Sequence, residues 1–358
     1  MIENRNFVIY GLIVFVCILS VIIILLFLYH NADLYSSSTV VASTNKEIDK
    51  RVDVLYAGSL VTLMEKEIGP AFENYTRGKF SFLGEGHGSI QDANMIIDGQ
   101  RFPDVFISVG DLPMQMLIHH NPSLAKRYLN FASDEMVLGY NPKSKFVEEF
   151  KKASQGEIPW YQVLANSNVK LLRTDPKLDP KGCYTIIVSQ LAGIYYHNEN
   201  ISRLLVSDNS SSNSQQIRPE EILVTALDTG EADVIPLYKH EAIERNIPFI
   251  RLPAEINLGQ PTFASYYKQA SCTVKEGTKV YGEPILFFVT VPATVSDYDG
   301  AASFIEFLVS PKGQRILENE GLNNVLFNFT RLSFNNQSSG YDEIISNIDH
   351  KNNTVSPK

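Results

Sequence analysis

The chain has 358 residues, of which 44% are hydrophobic and 20% charged, a composition typical of globular proteins rather than of disordered chains. Its formal net charge is −9, and it contains no basic run of the kind that nucleic-acid binding by counterion release requires, so nucleic-acid partners are excluded. Any anion that the protein binds must be held by local dipoles and hydroxyl groups rather than by overall charge.

An apolar segment occupies the N-terminus, from Phe7 to Tyr29. Its length of about 23 residues is sufficient to cross roughly 30 Å of hydrocarbon. A cleaved signal peptide usually has a shorter apolar stretch followed by small residues at the cleavage site, and residues 30–33 offer no such site. We therefore expect residues 1–30 to remain as a membrane anchor, with a cleaved signal as the alternative.

The segments on either side of the folded part are polar. Residues 31–50 are rich in serine, threonine, asparagine and charge, which predicts a flexible tether, and residues 333–358 predict a loose tail. Six Asn-x-Ser/Thr sequons favour an exported location; they begin at Asn74, Asn200, Asn209, Asn328, Asn336 and Asn352.

Three cysteines do not make a disulfide scaffold. Cys17 lies in the apolar segment. Cys183 and Cys272 either pair in an oxidising exterior or are separate small buried residues, and the sequence leaves both interpretations open.

Short apolar runs alternate with helical patterns through residues 51–332. The predicted strands are Val52–Tyr56, Phe80–Phe82, Pro103–Ser108, Met136–Tyr140, 169–172, Ala232–Tyr238 and Ile285–Val291. The predicted helices are 63–72, Ile90–Ile97, Tyr184–Tyr196, Glu220–Thr229 and Ala301–Gln314. Strand, turn and helix at this spacing predict an α/β protein with a parallel sheet covered by helices.

The strand order predicts two lobes. Met136–Tyr140 is expected to enter a second lobe, and Ile285–Val291 to return to the first. Lobe 1 then comprises about residues 51–135 and 285–332, lobe 2 about residues 136–284, and the two close on a ligand between them.

Two predicted strand ends carry a glycine followed by a serine, at Gly58-Ser59 and at Gly88-Ser89. A serine at the start of a helix is by itself an ordinary cap. Two such sites at the carboxyl ends of successive parallel strands predict an anion site, because helix N-termini and hydroxyls meet there. Ser108, at the end of the next strand, is a further candidate.

The turn Asp175–Gly182 contains two Asp-Pro pairs, which serve either as turn chemistry or as a source of a ligand carboxylate. The usual hydrolase signatures Gly-x-Ser-x-Gly and His-Glu-x-x-His are absent. We therefore expect a binding protein without catalytic residues or cofactor, with an exported enzyme as the alternative, and interpret His87 as a solvated loop residue.

Eight short motifs occur in the same order as in the archaeal molybdate/tungstate-binding proteins of ABC importers, and the chain resembles that family over about residues 52–325. The motifs are Ala-Gly-Ser-Leu at 57–60, Gly-x-Gly-Ser at 86–89, Asp-Val-Phe-Ile-Ser at 104–108, Asp-Pro-x-x-Asp-Pro-x-Gly-x at 175–183, Arg-Pro-x-Glu at 218–221, Gly-Glu-Ala-Asp at 230–233, Tyr238, and Leu-Pro-x-Glu-Ile-Asn-Leu at 252–258.

The resemblance implies a type II periplasmic-binding-protein-like fold with its ligand cleft between the lobes. It also implies an extracytoplasmic solute-binding protein on the outer side of the cell membrane, a monomer that passes tungstate or molybdate to a permease and its ATPase subunit. Ser59 and Ser89, with Gly58 and Gly88, would contact the oxyanion from lobe 1, and the hydroxyl of Tyr238 would contact it from lobe 2.

The resemblance further implies that carboxylates bind the tungsten or molybdenum atom itself. These would be Glu221 and either Asp179 or Asp175, with Asp179 favoured because it lies closer to the helix that begins near Gly182. Where the family usually has Cys-Gly-Tyr-Arg after the second Asp-Pro, residues 181–184 of this chain are Lys-Gly-Cys-Tyr. The alternatives are another small anion such as sulfate, or a membrane-tethered sensor.

Overall fold

The computed structural model describes residues 50–206, 215–274, 277–325 and 329–331. These belong to one unit, Ile48–Lys358. In the described ranges no helix is long and apolar enough to cross a membrane. The anchor predicted at Phe7–Tyr29, the tether before Lys50 and the C-terminal tail lie outside these ranges and stay predictions.

Eleven strands form three sheets in the described part of the chain. They are β1 Lys50–Ala57, β2 Phe80–His87, β3 Val105–Val109, β4 Arg127–Asp134, β5 Met136–Tyr140, β6 Val234–Tyr238, β7 Phe249–Arg251, β8 Ser271–Thr273, β9 Lys279–Tyr281, β10 Ile285–Thr290 and β11 Phe329–Arg331. The strand orders are β11-β4-β10-β3-β1-β2, β6-β5-β7 and the hairpin β8-β9.

The predicted α/β class is confirmed, but the large sheet is mixed rather than parallel. β1 pairs in parallel with β2 and with β3, as predicted. β10 runs antiparallel between β3 and β4, because it enters this sheet on its return from the second sheet. The chain first crosses from the six-stranded sheet to the three-stranded sheet at Glu135, between β4 and β5.

We call residues 50–134 with 285–331 lobe 1, and residues 136–284 lobe 2. Helices cover the sheets in both lobes. A 3-10 turn, Gly58–Leu60, leads into α1, which is formed by Val61–Leu63, the π-helical Met64–Ile68 and Gly69–Tyr75. The other helices are α2 Ser89–Ile97, α3 Leu112–His120, α4 Val147–Ser154, α5 Trp160–Leu164, α6 Pro180–Tyr195, α7 Glu199–Leu205, α8 Glu220–Thr229, α9 Lys239–Glu244, α10 Ala264–Tyr267, α11 Tyr298–Val309 and α12 Pro311–Asn319. A second 3-10 turn, Pro261–Phe263, precedes α10.

Three local predictions are corrected. Residues 169–172, predicted as a strand, form only an isolated bridge between Leu171 and Val234. The helix predicted over Ala301–Gln314 is broken into α11 and α12, because Pro311 has no amide hydrogen and Ser310 caps the second helix through the amide of Gly313. The glycine-rich segment after Phe82 is strand rather than turn as far as His87.

Glycine in β2 has a packing reason. A methyl group at Gly86 would lie 2.6 Å from Cε2 of Tyr56, its partner on β1. Glycine leaves space for that ring while the backbone stays in the ladder.

Aromatic and aliphatic side chains fill the interior of both lobes. In lobe 1 the ring of Phe72 packs edge-on against Phe304 at 5.1 Å and stacks on Phe80. In lobe 2 the long helix α6 buries Ile187 and Leu191. Burial of each such side chain stabilises the fold by about 1.5–3 kcal/mol, so each lobe has its own stabilising core.

Candidate functional site

Ser59 lies at the carboxyl end of β1, in the turn that leads into α1. Its side chain is buried, and Oγ has no hydrogen-bond partner among the described residues. Its backbone carbonyl accepts a hydrogen bond from Nε2 of His240, 3.1 Å away. The backbone is therefore fixed while the hydroxyl is left to donate to a ligand.

His240 is itself fully buried on α9, and its Nδ1 lies 2.5 Å from Oδ2 of Asp134. Burial lowers the pKa of His240, but the hydrogen bond and charge of Asp134 outweigh burial and raise the pKa above its ordinary value. A protonated ring donates from both nitrogens, to Asp134 and to the carbonyl of Ser59. His240 thus connects the Ser59 turn with the crossing between the lobes.

Ser89 is the first residue of α2, with Gly88 as its N-cap. Its Oγ accepts a hydrogen bond from the amide of Val109 at 3.1 Å, which leaves its O–H to donate elsewhere. From the same helix start, the amide of Gln91 donates to the carbonyl of Leu178 in lobe 2, 3.1 Å away. A methyl group at Gly88 would lie 2.5 Å from that carbonyl oxygen, so glycine allows the lobes to meet here.

Ser108, the third serine candidate, donates its hydroxyl to the carbonyl of Gly110 at 3.2 Å. The hydroxyl hydrogen of Ser108 is therefore bonded to Gly110 and is not directed toward Ser59 or Ser89.

The two aspartates of the Asp-Pro turn differ in what their oxygens do. Asp175 is half-buried, and its Oδ1 closes the turn by accepting from the amide of Lys177. Asp179 is buried and caps α6, with Oδ1 accepting from the amide of Lys181 at 3.0 Å. Its Oδ2 is buried without a partner among the described residues. Each aspartate uses one oxygen locally, but only Asp179 keeps a buried oxygen without a partner in the described part of the chain.

At the start of α8 the structure brings Glu220 to the site, rather than the predicted Glu221. The Glu220 side chain is 5% exposed, and its Oε2 has no partner in the described part of the chain. A methyl group at Gly58 in lobe 1 would lie 2.8 Å from that oxygen. Glu221 also lines the cavity described below but is exposed, because consecutive helical residues point about 100° apart.

Tyr238 ends β6 and is buried, with its hydroxyl unpartnered within the described ranges. Its amide donates to Oε2 of Glu241 at 2.9 Å. Burial, followed by the charge of Asp179, raises the pKa of Tyr238 well above its ordinary value. The hydroxyl therefore stays protonated and can donate a hydrogen bond.

Lys181 is a member of the site that sequence reasoning missed. Its side chain is 2% exposed, and Nζ lies 2.8 Å from Oε1 of Glu220 and 2.9 Å from Oε1 of Glu241. The same Nζ lies 5.1 Å from the centre of the Tyr238 ring. Lysine is almost never fully buried unless it is paired, as it is here. The feature of the sequence that could have indicated Lys181 is its position in the first turn of the helix that Asp179 caps.

We call Ser59, Asp179, Lys181, Glu220 and Tyr238 the interlobe cluster. Burial raises the pKa of Asp179 although Lys181 opposes it, and burial together with the charge of Asp179 raises the pKa of Glu220 well above its ordinary value. A cavity of about 170 Å³ lies beside the cluster. Its lining includes Gly88 and Gln91 of lobe 1 and Thr174, Asp175, Asp179, Arg218, Glu220 and Glu221 of lobe 2.

The cluster thus offers two hydroxyl donors and two carboxylate oxygens, each buried without a protein partner in the described ranges. This set suits a small solute that carries both hydrogen-bond acceptors and an electrophilic centre. In the same ranges, no group of three or more histidine, cysteine, aspartate or glutamate side chains is arranged to hold a metal cation.

The remaining sequence candidates lie elsewhere. Cys183 and Cys272 are buried free thiols, and a hydrogen bond between them, with burial, raises the pKa of Cys183. His87 is not a solvated loop residue: its Nδ1 lies 3.0 Å from Oδ1 of the buried Asp92.

Two lobes on separate sheets, with a buried polar cluster drawn from both, define a two-lobed binding protein. The family model for the bacterial extracellular solute-binding protein matches residues 52–323, and the chain belongs to this family.

The relatives agree with this assignment. The chain is 31% identical over 282 residues to a solute-binding protein of Petrotoga mobilis, covering 77% of this chain and 84% of the relative. It is 29% identical over 317 residues to the molybdate/tungstate-binding protein WtpA of Thermococcus kodakarensis, covering 82% and 87%. Among solved structures, the periplasmic molybdate-binding protein of Azotobacter vinelandii is similar in fold, with a TM-score of 0.52 and 17% identity over 78% of this chain and 99% of that one.

Proposed function

We propose that this protein binds tungstate or molybdate between its lobes, outside the cytoplasm, and delivers the oxyanion to the permease and ATPase of an ABC importer. The observation that carries the proposal is the set of unpartnered buried oxygens: the hydroxyls of Ser59 and Tyr238 and one carboxylate oxygen each of Asp179 and Glu220. The name of the Thermococcus kodakarensis relative supports the same choice of ligand.

The chemistry of these groups favours a metal oxyanion. Hydroxyls donate to the oxygens of an oxyanion, but a carboxylate facing those oxygens is repelled by about 4 kcal/mol at about 4 Å and an effective dielectric constant of about 20. In their ionised form, two carboxylates are compatible with the anion only if they bond its central atom. Tungsten and molybdenum expand from four ligands to six, whereas the sulfur of sulfate does not.

The same two carboxylates would therefore attract tungstate and molybdate and reject sulfate. In this proposal Asp179 is the aspartate ligand, because its unpartnered oxygen is buried, whereas the side chain of Asp175 is only half-buried. Glu220 takes the place predicted for Glu221, because its side chain is the buried one.

Titration calorimetry on the full-length chain tests the proposal. Wild-type protein should bind tungstate and molybdate and give no detectable heat with sulfate. The double variant Asp179→Ala/Glu220→Ala should bind tungstate more weakly and admit sulfate. Asp175→Asn/Glu221→Gln, which changes the other two acidic residues of the cavity lining, is the comparison and should weaken tungstate far less and still reject sulfate. Unchanged tungstate affinity in the first double variant would mean that these carboxylates are structural and that the coordination scheme is wrong.

We also propose that Phe7–Tyr29 remains attached and tethers the binding domain to the outer face of the membrane, because its length suits a span. Native protein should begin near Met1 and stay with membranes after a carbonate wash. Mature protein that begins between residues 31 and 45 would contradict the anchor and leave the ligand assignment untouched.

A further inference from the structure

Lys181 joins three helices of lobe 2 within the interlobe cluster. It lies on α6, and its ammonium bonds Glu220 on α8 and Glu241 on α9. Glu241 is fixed in turn, because its other oxygen accepts from the amide of Tyr238. Removing an ammonium from water is unfavourable unless it is paired and hydrogen-bonded, and here both conditions hold.

The contact with Lys181 makes the two carboxylate oxygens of Glu220 different from each other. Lys181 holds Oε1 at 2.8 Å, and Oε2 is the oxygen left without a partner in the described ranges. Oε2 is also the oxygen that approaches Gly58 of lobe 1, where a methyl group would lie 2.8 Å away. A carboxylate held at one oxygen by a charged hydrogen bond presents the other in a defined direction.

From this geometry we infer that Lys181 is a positioning residue, which turns Oε2 of Glu220 toward the central atom of the bound oxyanion. The inference rests on the proposed function and adds a determinant to it. Lys181 itself touches the carboxylate and not the solute, so its contribution is made through Glu220. Supporting side chains of this kind orient the groups that contact a metal and commonly change affinity by about 10- to 100-fold when they are removed.

A double-mutant cycle on the full-length chain tests the inference by tungstate calorimetry. Lys181→Met should weaken tungstate binding by about 100-fold, and Lys181→Arg, which keeps a cationic donor, should recover at least about tenfold of that loss. In a Glu220→Gln background, Lys181→Met should cause no further weakening. Lys151→Met is the matched control, since Lys151 is an exposed lysine that pairs with Glu148, and it should bind as wild type.

Two further measurements separate positioning from charge and from folding. Lys181→Met/Glu241→Gln removes one cation and one carboxylate, so it keeps the net charge of the protein and leaves no unpaired carboxylate at residue 241. It should nevertheless bind tungstate as weakly as Lys181→Met. X-ray absorption at the tungsten L3 edge on saturated protein should give six ligands for wild type. It should give five for the charge-matched double variant and for Glu220→Gln.

The outcomes distinguish the two proposals. Three results would overturn the positioning role and leave tungstate binding intact. These are wild-type affinity in Lys181→Met or in the charge-matched double variant, six tungsten ligands in the charge-matched double variant, and losses of affinity that add when Lys181→Met is combined with Glu220→Gln. Failure of wild-type protein to bind either tungstate or molybdate would overturn the proposed function, and the inference with it.

Discussion

Replacing Gly88 by alanine should weaken ligand binding without weakening the fold. Gly88 has φ −59° and ψ 129°, values that alanine adopts readily, so the backbone of lobe 1 accepts the change. The added methyl group would lie 2.5 Å from the carbonyl oxygen of Leu178 in lobe 2, where ordinary contact begins at 3.4 Å. The strain therefore arises only when the lobes meet.

The magnitude follows from this contact. The lobes must separate locally by about 0.9 Å to restore an ordinary distance. Overpacking of this kind typically costs about 1–3 kcal/mol, which corresponds to roughly 5- to 150-fold in affinity. Because Ser89 follows directly in the chain, its hydroxyl moves with the displaced loop.

Calorimetry with tungstate and thermal unfolding of the ligand-free full-length chain measure the two effects separately. The matched control is Gly69→Ala, whose methyl group would lie 2.6 Å from the ring of Phe82 within lobe 1. We expect Gly88→Ala to lower affinity with little change in Tm, and Gly69→Ala to lower Tm with little change in affinity. Wild-type affinity in Gly88→Ala, or a loss of Tm as large as that of the control, would refute the cross-lobe contact.

Three further substitutions test the site and its supports. Ser59→Ala should weaken tungstate and molybdate alike by roughly 10- to 100-fold in calorimetry, since it removes a donor to a charged group, while Ser108→Ala should bind as wild type. Burial raises the pKa of Asp92 from 3.8 to about 6, so its contribution to stability is present below about pH 4 and is lost as the pH rises through about 6. In urea unfolding Asp92→Asn should remove a fall of about 3 kcal/mol between about pH 4 and about pH 7, and an unchanged pH profile would contradict this. His240→Phe should lower the free energy of unfolding by about 3–5 kcal/mol, because the buried Asp134 loses the ring that pairs with it. Adding Asp134→Asn should restore part of the loss, and no recovery would contradict this account.

The fold class was predictable because periodicity reports which residues are buried. β1, β3 and β5 are apolar runs between turns, and their predicted positions agree with the structure to within a few residues. β4, Arg127–Asp134, was not predicted, because its polar residues Asn130, Ser133 and Asp134 interrupt the pattern and its pairing with β10 and β11 is long-range. A single sequence carries no direct signal of that pairing.

Within the site, the strand-end pattern pointed to Ser59, and the family resemblance pointed to Asp179 and Tyr238; the structure buries all three. The choice between Glu220 and Glu221 depends on the rotation of α8, which the four-residue motif at 218–221 does not define. Lys181 was missed because its burial depends on two carboxylates that lie 39 and 60 residues away in the chain.

The groups proposed to hold the ligand are divided between the two lobes: Ser59 comes from lobe 1, and Asp179, Glu220 and Tyr238 come from lobe 2. A solute held from both sides departs only after the lobes separate, so its residence time is the lifetime of the closed state rather than that of any single bond. A permease that draws the lobes apart would then release the cargo by shortening this lifetime. It would not need to offer the solute a stronger site of its own.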